Sequence, residues 1–536
     1  MTPNIRQLLL IVFSLCVGQN SFAQGKYWVS FTDKAGVSFD PYSYFDAHAI
    51  QQKLDHNIPL CDLSDFAVSE EYLSAVSALV DSVSWESRWL NGVAVYASRS
   101  EILVVKNLQF VSDIEEMSVN TCAASRSSKS VDELNNLDKA LLSYQLMRMQ
   151  GDAFIKNHYD GKGIRIAVFD AGFPGVDKHP AFSGLREGKQ IIDTYDFVCH
   201  SKNVYKSHWH GSATLSCIAG KSDTINIGLA TGAEFLLART ENTFSERLSE
   251  EENWLAAAEW ADKHGVNIIS SSLGYAFQRY FNFEMNGRKS LIARSASVAA
   301  SKGILIVNAA GNEGTNSWHY IVTPADADSV LTVGGTDPTT DAHIYFSSYG
   351  PTGDGRLKPN VCAVGEAITT RATGFARSTG TSFSTPLVAG FAACAWQAHR
   401  QWSNMELFDA IEKSSSLYPY FDYAHGFGIP QAGWFISEKS IQEPTFDFVI
   451  INNEVKVILR EQFSYTDTEA ALGFPVRRNM YYKVEDKDGI VKKYSVILAD
   501  RKEMMHVYTE DFHAGDVMTI HFEGYTSSYN FPEEIK

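Results

Sequence analysis

The stretch GTSFSTPLVAG, Gly380–Gly390, decides how this chain is read. Ser382 lies where a glycine-led bend meets an apolar run of small residues with helical character. A serine at such a place has two readings. As an N-cap, its side-chain oxygen accepts a bond from an orphan backbone N–H. As a nucleophile, it needs a base within reach and a third group to orient that base. The rest of the chain decides between them.

From about Gly163 to Gly433, strand-like runs alternate with helical ones. IRIAVFD, AEFLLART, VNIISSSLG, ILIVNAAGN and VLTVGGT are the strand candidates. They are continuously apolar rather than alternating, as strands covered on both faces are. EENWLAAAEWADKHG and KSLIARSASVAASKG read as helices ending at Gly265 and Gly303. This alternation predicts an α/β domain, a parallel sheet with helices on both faces.

Ligands of parallel sheets bind at the carboxyl ends of the strands, and three polar residues belong there. Asp170 ends IRIAVFD. A buried carboxylate is costly without hydrogen bonds, and a histidine ring N–H satisfies it. His210 opens HGSATLSCIAG, a second small-residue helix. Ser382 opens the third element. Alone, each reads as a structural residue. In the order Asp, His, Ser they match a known chain order of a nucleophilic triad.

AVFDAGF, HGSATLSCIAG, SSSLG, NAAGNEG and GTSFSTPLVAG resemble, in order and spacing, the motifs of the subtilisin-like serine proteases (subtilases). The resemblance covers roughly Leu141 to Phe435. It implies a three-layer α/β/α catalytic domain hydrolysing peptide bonds, with Ser382 as nucleophile, His210 as general base and Asp170 as its partner. It implies that Asn312 donates to the developing oxyanion beside the backbone N–H of Ser382. Peptide would bind as an added strand on Ser270, Ser271, Ser272, Leu273 and Gly274, with a second edge leading from ARTEN at Ala238. Ala309, Ala310 and Gly311 would wall the specificity pocket. Pro386 is expected in the first helical turn, where no N–H is required.

Departures from the family pattern are Ala171, Phe383 and Ser384, Tyr275 in place of a glycine, and Asn360 and Val364 in LKPNVCAVG. None removes a reacting group; Tyr275 is expected to narrow the pocket mouth. Many relatives hold Ca²⁺ after the histidine helix. Here that loop is the short GKSDTINIG, with Asp223 and Asn226 as donors. Ca²⁺ takes six to eight oxygens, so no metal and no cofactor is expected.

The flanks complete the layout. MTPNIRQLLLIVFSLCVGQNSFAQ has a basic start, an apolar core and a small-residue exit, as a signal peptide cleaved after Ala23 has. Residues 24–119 read as a small α+β unit of two helices on an antiparallel sheet, with Ser69 and Ser100 opening the helices; its place and size resemble a subtilase propeptide. Residues 120–140, rich in Ser and Asn, form a linker in which processing is expected. Residues 141–437 are the catalytic domain. Residues 443–536, with a hairpin turn at Asp488–Gly489, are expected to form a β-sandwich.

The net charge of -17 argues against nucleic acid as a partner. No later run is long enough to span a membrane. Seven cysteines show no paired metal spacing, and Cys217 and Cys394 read as small buried residues. The acidic run Ser245–Asn253 is expected to be a solvated helix face. Function is expected to be that of an exported, self-processing endopeptidase in the periplasm, at the cell surface or in the medium. Its partners would be protein or peptide substrates and its own propeptide. The competing expectation is a binding or adhesion protein on the same scaffold.

Overall fold

A computed structural model describes residues 24–117, 126–128, 130–222, 225–241, 249–276, 279–437, 443–464 and 478–532. The expected signal peptide, Asp223 of the expected calcium loop, and the second peptide-binding edge from Asn242 onward fall outside the described residues. The chain divides into two compact units.

The smaller unit comprises residues up to Asp40 and Cys61–Val119. Its four antiparallel strands are β1 (Gly25–Phe31), β2 (Ser82–Ser87), β3 (Gly92–Ala97) and β4 (Val111–Glu116), in the order β2-β3-β1-β4. Val29, Val93 and Val95 on one face pack with Val76 and Val105 from two helices, Glu70–Ser77 and Arg99–Val105. The second helix is capped by Ser98, not Ser100. The Ser98 hydroxyl accepts from the Glu101 N–H while the Glu101 carboxylate accepts from the Ser98 N–H. That reciprocal box satisfies two donors, which Ser100 has no glutamate to match.

The larger unit contains residues 41–60 and 120–536. The first stretch forms two helices, α1 (Pro41–Tyr44) and α2 (Ala47–Asp55), which the sequence pattern did not announce. The main sheet has seven parallel strands: β5 (Arg165–Asp170), β6 (Ile191–Asp196), β7 (Glu234–Arg239), β8 (Ile268–Ser271), β9 (Leu305–Ala309), β10 (Val330–Thr336) and β11 (Val361–Val364). Their order is β11-β10-β9-β8-β5-β7-β6. β5, an interior and fully buried strand, pairs with β8 and β7. On this sheet lie α3 (His210–Ala219), α4 (Ser249–Lys263), α5 (Leu291–Ser301) and α6 (Thr381–Ala398). α6 is buried over nearly its whole length, so its Ala and Gly residues allow close packing against α3 and the strands.

Two expectations need correction here. Pro386 is the sixth residue of α6, in its second turn. The acidic start of α4 is not a solvated face: Glu250, Glu251 and Glu252 are buried. The Tyr275 hydroxyl donates to Glu250 at 3.1 Å, and Arg279 pairs with Glu251 at 3.0 Å. A charge run reads as solvated only until loop residues fold over it with partners. Cys217, Cys362 and Cys394 are buried free thiols.

The C-terminal residues form two antiparallel sheets. One holds Phe446–Ile451, Glu454–Leu459 and Glu503–Tyr508; the other holds Asn479–Glu485, Val491–Leu498, Val517–Phe522 and Tyr525–Asn530. Val455, Val457, Met480, Met518, Ile520 and Phe522 share one apolar core. No helix among the described residues is long and apolar enough to cross a membrane.

Candidate active site

β5 delivers Asp170 to its carboxyl end, fully buried. Its charge is fully partnered. One carboxylate oxygen accepts the Ala171 N–H at 2.7 Å, the other the Thr214 hydroxyl at 3.0 Å. Both lie 2.9–3.0 Å from Nδ1 of His210, the first residue of α3. A carboxylate accepts only, so Nδ1 carries the proton and Nε2 is left as the basic nitrogen. The imidazole is braced by Phe383, whose buried ring lies 5.5 Å from it. His208 does not reach Asp170. Its ring lies 6.3 Å from that of His210, and burial pushes its pKa down.

Ser382 is the second residue of α6, after Gly380 at φ 147°. It is not the cap, since no side-chain cap bond is present. Its hydroxyl donates to the Ser272 carbonyl at 3.2 Å, and the Ser272 hydroxyl donates to the Ser382 carbonyl at 2.9 Å. Asn312 follows the end of β9. Its side-chain oxygen accepts from the N–H and the hydroxyl of Thr381, at 2.9 and 3.1 Å. With that oxygen occupied, the amide NH₂ is the face left to donate, next to the residue that precedes Ser382.

Ser272, Leu273 and Gly274 leave β8, and Ala310 and Gly311 leave β9, so the two expected pocket walls run side by side. Asn308 ties them: its amide donates to the carbonyls of Leu273 and Ala309, both at 3.0 Å. Val322, which sequence reading missed, lies between the walls. A Cβ added at Gly274 would meet a Val322 methyl at 2.1 Å, and one at Gly311 (φ 109°) would meet Val322 at 2.8 Å. Val322 packs behind with Ala276, Met285 and Trp318. Tyr275, expected at the pocket mouth, is instead buried. Asn308 had a weak signal, a polar residue in an apolar strand; Val322 had none. Among the described residues no group of three or more His, Cys, Asp or Glu side chains could hold a metal ion.

Residues 161–428 match the Subtilase family, and residues 26–133 match the Peptidase S8 propeptide domain of Bacteroidota. The chain is 26% identical over 274 residues to M-protease of Shouchella clausii and to Subtilisin BL of Lederbergia lenta, covering 51% of this chain in each case. The match spans 64% of M-protease and 90% of Subtilisin BL. It is 28% identical over 295 residues to Subtilisin E of Bacillus subtilis, covering 53% of this chain and 69% of that one. A crystal structure of MycP1 from the ESX-1 type VII secretion system aligns at TM-score 0.44 and 20% identity, over 56% of this chain and 87% of that one. With half its length matched by the family, and a buried Asp–His pair beside a helix-borne serine at the strand ends, this chain belongs to the subtilase family of serine peptidases.

Proposed function

We propose that this subtilase is an exported endopeptidase, made as a zymogen and processed by its own cleavage between Cys122 and Leu137. The observation that carries the reading is the Asp170–His210 pair, which fixes one imidazole nitrogen as donor and leaves the other basic. Peptide lies as an added strand against Ser272–Gly274. The Ser382 hydroxyl leaves the Ser272 carbonyl, gives its proton to Nε2 of His210 and attacks the peptide carbonyl. The oxyanion takes the Asn312 amide and the Ser382 N–H. His210 then protonates the leaving amine, and water resolves the acyl-enzyme by the same route. Asp170 stays ionised and holds the imidazolium.

Val322 leaves little depth between the walls, so a small apolar side chain is preferred before the scissile bond. The N-terminal unit, matched by a propeptide family, supports the zymogen. Export rests on the sequence of residues 1–23. The test is incubation of the full chain and its Ser382→Ala variant with a mixed peptide library. Cleavage by the parent alone, after small apolar residues, supports the reading. Equal absence of cleavage from both, after removal of the N-terminal unit, overturns it.

A further inference from the structure

Residues 41–60 interrupt the N-terminal unit in sequence, yet pack as part of the larger unit. Where they pack is informative. Arg165 is the first residue of β5, and Asp170 is its last. At about 3.3 Å per residue, that separates the two ends by about 17 Å. Asp46, Ala49, Lys53 and Ile58 make their contacts at the Arg165 end. Asp46 caps α2 through the Ala49 N–H at 2.8 Å. Its own N–H donates to the Lys263 carbonyl at 3.1 Å, and its carboxylate lies 3.4 Å from the Arg165 guanidinium.

Two turns beyond Asp46, Lys53 pairs with Asp262 at 2.7 Å, with both side chains about 95% covered, at 4% and 5% exposure. The α4–β8 turn closes directly on α2: a Cβ at Gly265 (φ 63°) would stand 2.7 Å from the Ala49 backbone. At the next turn, before β9, Ile58 occupies the space a Cβ at Gly303 would fill. These contacts comprise a helix cap, a buried ion pair and two glycine-dependent close approaches. A loosely resting loop would not bury a lysine, because an ammonium leaves water only against a partner.

We infer that residues 41–60 are a docking strap, which keeps the N-terminal region attached to the catalytic unit after the linker has been cut. The inference rests on the zymogen reading. Attachment and inhibition then become separate properties of the N-terminal region. Both ends of the strap continue into the smaller unit, so cutting the chain near residue 125 leaves the strap joined to it and still bound. Complete release requires the strap itself to undock or be cut.

The test uses the full chain carrying Ser382→Ala, with the recognition sequence of a site-specific protease in place of residues 120–125. The added protease makes the cut, so the result does not depend on this chain being a peptidase. The cut parent is expected to co-elute with its N-terminal fragment on gel filtration. Lys53→Glu and Ile58→Asp should release that fragment on the order of 100-fold faster, since reversing one buried charge strands the other. Lys53→Glu with Asp262→Lys should restore retention. In a second arm, with Ser382 intact, a synthetic peptide of residues 41–60 should bind the catalytic unit freed of its fragment equally well before and after a fluorophosphonate blocks it. Fragments of both single variants staying bound as long as the parent's, or a peptide displaced by the active-site label, would overturn the strap.

Discussion

Ser272 and Ser382 exchange hydrogen bonds, each hydroxyl donating to the other's backbone carbonyl, at 2.9 and 3.2 Å. The cause lies four residues beyond the nucleophile. A helix bonds the N–H of one residue to the carbonyl four before it, and Pro386 has no N–H to give to Ser382. The Ser272 hydroxyl fills that vacancy, which locks the proposed substrate-binding edge to the helix that carries Ser382. Ser272→Ala removes that donor to the buried Ser382 carbonyl, at a cost of about 1–3 kcal/mol. A lower melting temperature is expected, with lost activity. Adding Pro386→Ala returns an N–H to the helix and should recover most of the melting temperature but not all the activity. Equal melting of Ser272→Ala and parent would contradict the argument.

Asn312→Ala removes the amide that the Thr381 bonds leave free to donate, the proposed donor to the oxyanion. Loss of such a donor in a subtilisin costs on the order of 10²–10³ in kcat, and the same order is expected here with KM little changed. Steady-state kinetics on one peptide would check it. A change confined to KM would mean the amide binds ground-state peptide instead.

Val322→Ala deepens the gap between Gly274 and Gly311. The ratio of kcat/KM for a substrate with Phe before the scissile bond to one with Ala should rise about 10-fold or more, the scale of a methylene or two in an apolar pocket. An unchanged ratio would remove Val322 from the pocket floor.

Docking of the strap should weaken in acid. His48 faces Arg165, Asp46 and Glu234; His56 faces Asp55 and Glu406. Burial is the main cause that lowers both pKa values, and one ring nitrogen of each has no hydrogen-bond partner. Both therefore dock neutral and take up protons on undocking. The stability they lend is full above the ordinary histidine value of about 6.5 and declines as pH falls below it. Retention of the cut fragment should fall between pH 7.5 and pH 5, and His48→Phe with His56→Phe should flatten that dependence. Retention that is flat in the parent would contradict it.

The strands of the catalytic sheet were legible because burial on both faces leaves long apolar runs, as in IRIAVFD and VLTVGGT. β6 and β11, the two edge strands, were not: only Asp196 of IIDTYD is fully covered, and VCAV is buried but only four residues long. The strap was hidden for a related reason. α2 buries only Ala49 and Lys53, and a lysine reads as surface until Asp262 is placed beside it. Buried Glu250, Glu251 and Glu252 misled in the same way. At the site, Asp170, His210 and Ser382 stood out in the sequence through their order along the chain, and a hydrogen bond joins the first two. Val322 was not, because its place between Gly274 and Gly311 is a tertiary fact with no local pattern.

The central claim is that Asp170 and His210 make Ser382 a nucleophile. Mass spectrometry of a fluorophosphonate-treated chain, freed of its N-terminal unit, tests it most directly. The account predicts one adduct on Ser382, lost in Ser382→Ala and slowed by orders of magnitude in His210→Ala, in which the hydroxyl has no base. An adduct that forms as fast in His210→Ala as in the parent, or no adduct on a chain that remains folded, would contradict it.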